Sequence, residues 1–301
     1  MKPKLCLKCI WQILFLLSAV GIGACGHGPN PFPNVNDVTD NSDDKAVKAV
    51  DDAGFELDAD LTVTQLLPDT FVVEHRFPWA ANSLVMKVGP KKVLMVDTPY
   101  TPEATQRLIE WILQRYPNIQ IEAVNTGFHV DNLGGNAFLK KMGIPVYGSE
   151  TTKILLETKG EHTRTQLLTW LQGPENVRFL KAHEHNPYVA PDTLFRLTEG
   201  TVLHYDNETV EIFYPGPSHS EDNLVVYART RKLLFGGCAV KASDAASLGF
   251  TGDANMENWP VAIEAVLARY SDAEIVVPGH GPVSKDLSSL HHTLALLNAQ
   301  K

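Results

Sequence analysis

Residues 125–136 read NTGFHVDNLGGN, and the fold of the whole chain turns on what this stretch is for. An apolar run, IEAV at 121–124, precedes it, and a helix-like segment, AFLKKMG at 137–143, follows it. His129 and Asp131 therefore fall on a loop at the end of a strand, the place where a rigid scaffold presents functional groups. The pattern looks like half of a metal site. Gly127, two residues before His129, stands where such a site usually carries another histidine.

Three more segments end an apolar strand in the same way. IFYPGPSHS (212–220) offers His219, LLFGGC (233–238) offers Cys238, and IVVPGH (275–280) offers His280. Each runs strand, then a small or Pro/Gly turn, then a potential ligand. Loops at one edge of a sandwich converge, so these groups can meet in space. Zinc accepts His nitrogen, Cys sulfur and carboxylate oxygen, and a catalytic zinc keeps one position open for water. Asp131, Cys238 and His280 supply three ligands and leave that position. Two anionic ligands reduce how strongly the ion acidifies its water, so a nearby base becomes useful. Taken singly, a histidine is more often a core or surface residue than a ligand, and His75, His204, His291 and His292 receive that reading.

Strands and helices interleave around these segments. LTVTQLLPDTFVVEH (61–75) alternates like two strands about a turn at Pro68-Asp69. NSLVMKVGPKKVLMVDT (82–98) reads as two strands joined at Gly89-Pro90. Thr101 as N-cap, Pro102 at the first helical position and Glu103 in the first turn open a helix. Its Leu108, Ile109, Ile112 and Leu113 keep helical spacing, and Pro117 stops it. Residues 151–185 are polar and helix-prone. Strands return between 201 and 237, and the chain closes with a helix at 258–270, a buried strand at 273–277 and a helix at 287–298. Such a pattern predicts an α/β architecture, two sheets packed face to face with helices outside.

The whole chain has 301 residues, 44% hydrophobic and 20% charged, which excludes a disordered or fibrous protein. A formal charge of -9 argues against a nucleic-acid binder. Lys2, Lys4 and Lys8 precede IWQILFLLSAVGIGA, so residues 1–24 read as a secretory signal rather than a membrane span. The run ends in IGAC, which resembles a bacterial lipoprotein signal with Cys25 lipidated and anchored at a membrane. Cleavage after Ala24, releasing a soluble periplasmic protein, is the alternative. Removal of residues 1–24 takes away three lysines and no acid, so the charge of -9 becomes -12. Residues 25–56, rich in Pro, Gly, Asn and Asp, read as a flexible acidic tether, and 57–301 as the folded domain. Cys6 and Cys9 fall in the signal, which leaves Cys238 without a disulfide partner in an oxidising compartment. Metal ligation shields such a thiolate; a buried inert thiol is the alternative. A monomer is expected.

NTGFHVDNLGGN, PGPSHSEDNLVVY, LLFGGCAVK, LGFTGDAN and VVPGHG, in this order, resemble the class B metallo-β-lactamases. The resemblance covers nearly all of residues 57–301 and is closest to the Cys-containing di-zinc subclass, its SPM-type members above all. It implies an αββα sandwich of two mixed sheets. It places the Asp-Cys-His zinc site on Asp131, Cys238 and His280, and the three-histidine site on Gly127, His129 and His219. Glycine donates nothing, so that second site is broken and one zinc ion per chain is expected. The mono-zinc subclass likewise lacks this histidine, carries Asn there, and hydrolyses mainly carbapenems. On this reading Gly127→His restores a second zinc.

The same resemblance makes Lys241 the partner of a substrate carboxylate and Asp97 a buried residue that orients ligands. Phe250 stands where many relatives carry an Asn that polarises the lactam carbonyl, so that contribution is absent. HRFPWAAN (75–82) takes the place of a flap over the substrate, with Phe77 and Trp79 as candidate contacts or as packing residues. The implied reaction is hydrolysis of the β-lactam amide bond, carbapenems favoured, with His129 or Asp131 as base. Two rivals remain. A thioesterase of the glyoxalase II kind usually has a histidine directly after the motif aspartate, where Asn132 stands, and gives Cys238 no role. A non-catalytic zinc-binding lipoprotein fits Gly127 and Phe250.

Overall fold

The structure is a computed structural model that describes residues 48–50 and 54–300. The signal segment, Cys25 and most of the acidic tether lie outside the described residues. The first sheet holds nine strands in sequence order: β1 (Lys48–Val50), β2 (Gly54–Asp58), β3 (Leu61–Leu67), β4 (Thr70–Arg76), β5 (Ala80–Gly89), β6 (Lys92–Val96), β7 (Gln120–Val124), β8 (Val146–Ser149) and β9 (Thr193–Phe195). It is antiparallel up to β6 and parallel from β6 to β9. The second holds five: β10 (Thr201–His204), β11 (Thr209–Phe213), β12 (Val225–Ala228), β13 (Leu233–Gly237) and β14 (Ile275–Pro278), with only the last pair parallel. The helices are α1 (Pro102–Arg115), α2 (Val130–Leu133), α3 (Asn136–Lys141), α4 (Glu150–Trp170), α5 (Val177–His185), α6 (Trp259–Arg269) and α7 (Ser288–Asn298).

Side-chain alternation along each strand sorts the apolar residues into layers. In β5 and β6, Leu84, Met86, Leu94 and Val96 face the second sheet and pack with Ile212, Val226, Leu233, Phe235 and Val277. Their neighbours Val85, Val93 and Met95 face the other way, against Leu108, Ile109 and Ile112 of α1. The second sheet repeats the scheme: Val225, Tyr227, Leu234 and Val276 pack outward on Trp259, Ile263 and Val266 of α6 and on Leu290 of α7. Burial on both faces is what a sheet covered by helices requires, and the result is an αββα sandwich. Thr101 caps α1 as its sequence indicates, its Oγ1 accepting from the Ala104 N–H at 3.2 Å.

Regular structure starts before Leu57. Phe55 of β2 packs on Trp111 of α1, ring centroids 5.8 Å apart. The acidic, Gly-containing neighbours of this short strand conceal it in the sequence. Among the described residues, no helix is long and apolar enough to cross a membrane.

Candidate metal centre

The chain leaves β7, β11, β13 and β14 at the same edge of the sandwich, and the loops that follow carry His129 and Asp131, His219, Cys238 and His280. The parallel pairing of β13 with β14 ends where Gly279 meets the backbone of 237–238. A Cβ at Gly279 would lie 2.8 Å from the Cys238 nitrogen, so only glycine permits this approach, which brings Cys238 beside His280. The two sheets are joined at this point. The Asn82 N–H donates to the Gly279 carbonyl at 2.8 Å, and its side-chain amide donates to the carbonyls of Pro278 and Gly281 at 2.9 and 2.8 Å.

Asp131, Cys238 and His280 come together there, with ligand atoms all within 4.8 Å of one another. Asp131 Oδ2 lies 3.1 Å from Cys238 Sγ and 3.0 Å from His280 Nε2, and Sγ lies 3.9 Å from that nitrogen. The ring of His280 is held by its Nδ1–H, which donates to the Ala80 carbonyl at 2.7 Å and leaves the Nε2 lone pair free to bind a cation. Burial, and then the Asp131 charge, pushes the Cys238 thiol well above its ordinary value. The thiol donates to Asp131, and a cation would take the place of that proton. One carboxylate, one thiol and one imidazole, converging from both sheets, fit zinc.

Behind the cluster lies Asp97, fully buried. It accepts from the Thr126 N–H at 2.7 Å, from Thr126 Oγ1 at 2.6 Å and from Asn132 Nδ2 at 2.9 Å. Burial pushes its carboxyl up to about 8, against these three hydrogen bonds. Asn132 Nδ2 also lies 3.7 Å from Cys238 Sγ, so Asp97 reaches the thiol through an amide.

His129 and His219 lie beside this cluster, ring centroids 5.2 Å apart. His129 is held by Asp253: its Nε2–H donates to Asp253 Oδ2 at 3.0 Å, which leaves Nδ1 with the lone pair. Asp253 belongs to the TGDAN turn and is a functional partner that the sequence does not single out. An Asp in such a turn is ordinarily read as turn chemistry, so nothing local singled it out. His219 is buried, and that burial, followed by the Lys241 charge, holds its imidazole well below the usual range.

The space of a third imidazole is taken. A Cβ on Gly127 would lie 2.9 Å from both Asn132 Oδ1 and Asn223 Nδ2. Neither amide is loose. Asn132 donates to Asp97 and, at 3.3 Å, to Thr126 Oγ1, while Asn223 Oδ1 accepts from the Ser220 N–H at 2.7 Å and Ser218 Oγ at 3.3 Å. An imidazole at 127 would have to move these two side-chain ends before it could reach a metal. His75 accepts from the Tyr100 N–H at Nδ1, 3.0 Å, and its ring packs between Phe77 and Tyr100.

A cavity of about 610 Å³ opens over the cluster, bordered by Asp131, His280, His129, His219 and Lys241. Lys241 is 8% exposed, its ammonium 5.3 Å from the Trp259 ring centre, and burial lowers its pKa. Trp79 borders the cavity, but Phe77 does not. Phe77 stacks on His75 at 5.0 Å and meets Phe179 edge-on at 4.7 Å, so it packs the base of α5. Phe250 also borders the cavity, with its ring 6.0 Å from His129 and 6.3 Å from His219.

Fold and site together define a class: a two-sheet metalloprotein with its ligands on the loops of one edge. The metallo-beta-lactamase superfamily model matches residues 76–280, and the chain belongs to that family of hydrolases. It is 33% identical to a metallo-beta-lactamase type 2 of Bacillus sp. (strain 170), over 72% of each chain. Identity to a metallo-beta-lactamase type 2 of Pseudomonas aeruginosa is 31%, over 66% of this chain and 67% of the other. The solved metallo-beta-lactamase of Pontibacter korlensis superposes with a TM-score of 0.65 at 31% identity, covering 79% of this chain and 99% of that one.

Proposed function

We propose that this chain hydrolyses the amide bond of β-lactams, carbapenems favoured, with a single zinc ion held by Asp131, Cys238 and His280. The observation that carries this reading is a complete three-ligand cluster beside a pair of histidines whose third member is replaced by packed amides. A zinc ion in that cluster would supply an acidified water and would stabilise the charge left on the lactam nitrogen. The residues of the chain do the rest. Lys241 faces the cavity from a buried position, and an anionic partner offsets the cost of that burial, so it pairs with the substrate carboxylate. His129 accepts the proton of the attacking water at Nδ1, because Asp253 fixes the proton on Nε2. Asp131 is the second candidate base. Asp97 and Asn132 keep the thiol aligned.

The lysine-led apolar leader supports export to the periplasm, with Cys25 as the tether to a membrane. A monomer acting on a small β-lactam, without nucleic acid, is part of the same proposal. The purified protein should open nitrocefin and a carbapenem such as imipenem, and Cys238→Ser should lower both rates at least about 100-fold. Phe250 over the two histidines favours a second reading, a zinc-binding protein without hydrolytic activity. Zinc uptake with neither ring opened would select that second reading.

A further inference from the structure

One face of α4 borders the cavity. Thr163, Gln166, Leu167 and Trp170 recur at i, i+3, i+4 and i+7, the spacing of a single helical stripe, and all four are lining residues. The helix-prone reading of this segment carries no functional role in the sequence, and its cavity face carries no charge. Trp170, its last residue, is 45% exposed, and Trp79 across the opening is 48% exposed. The two rings meet edge-on, centroids 6.4 Å apart. Trp170 in turn meets Phe250 at 5.2 Å. An arc of three rings thus runs from the β4–β5 turn across the end of α4 to the wall above His129. Large rings left half in water around a cavity have apolar surface still to bury, and aromatic partners bury it with favourable edge or offset geometry. The same cavity holds one ammonium, that of Lys241.

We propose that α4 is the specificity wall of this site. The arc of Trp79, Trp170 and Phe250 receives a flat apolar substituent, such as an aryl side chain, on a β-lactam whose carboxylate pairs with Lys241. Trp170 is the residue that decides the preference, because it touches both other rings. Gln166, one turn before it, offers an amide to a polar linker such as a side-chain carboxamide. This inference rests on the β-lactam reading and names the part of the molecule that the site selects.

The test compares benzylpenicillin with 6-aminopenicillanic acid, the same bicyclic nucleus and carboxylate without the aryl group. The zinc-loaded full chain is used, with KM measured where the ring opens and Kd by calorimetry where it does not. Benzylpenicillin should be held about tenfold more tightly than the bare nucleus. The gap should shrink to within about twofold in Trp170→Ala and persist in Trp170→Phe. Absence of a gap in the wild type, or a gap that survives in Trp170→Ala, would overturn the proposal. Failure of both rings to open, with the binding gap intact, would reject the hydrolase reading and leave the wall in place.

Discussion

In the proposed single-zinc site, Gly127 matters through its neighbours as much as through its own missing side chain. Asn132 and Asn223 fill the ground that an imidazole would occupy, each held by two or more hydrogen bonds. We expect Gly127→His to bind one zinc per chain by metal analysis, the same count proposed for the wild type. We also expect it to lose about 1–3 kcal/mol in denaturant unfolding, the cost of unpairing a buried amide. A second tightly bound zinc would show that the amides yield. The ligands themselves were legible because each follows an apolar strand and a Pro/Gly turn, a grammar that one chain can repeat only if the loops share an edge. Asp253 was not legible, since its partner His129 lies 124 residues away and its own surroundings spell a turn. The two amides were hidden for the same reason: Asn in a loop carries no mark of what it packs against.

At the scale of elements, the longer strands and α1, α6 and α7 could be read from periodicity, and α1 also from its cap. The cavity face of α4 could not, because Thr163, Gln166, Leu167 and Trp170 mix polar and apolar types and make no apolar stripe. The three-residue strand β9 carries two exposed residues and leaves no alternation to detect. Helix α5 docks on the flap through His183 and Phe179, which meet Phe77, and His75 lies beneath. Burial is the main cause that lowers both His75 and His183 to about 4 from an ordinary 6.5. Between those values the unfolded chain takes up protons that the folded chain refuses, so stability present above pH 6.5 is lost as pH falls toward 4. The loss is on the order of 3 kcal/mol for each histidine. His183→Phe keeps a ring against Phe77 and Tyr100 and removes one titrating group. Its unfolding midpoint in urea should fall less than that of the wild type between pH 7 and pH 4. An equal fall in both proteins would show that His183 titrates normally.

For the molecule as a whole, the αββα layering follows from strand alternation on two sheets, and the metal cluster joins those sheets at one edge. Asp131 follows β7 of the first sheet, while Cys238 and His280 follow β13 and β14 of the second, so an ion there grips both halves of the sandwich. The central claim is that these three residues, and not the two histidines, hold the ion. Cobalt(II) titration of the metal-free chain, followed in the near ultraviolet, measures this directly, because cobalt bound to a thiolate gives a charge-transfer band. We expect the band to saturate at one equivalent per chain and to vanish in Cys238→Ser. Saturation at two equivalents, or a band that survives the loss of Cys238, would contradict the single-ion site.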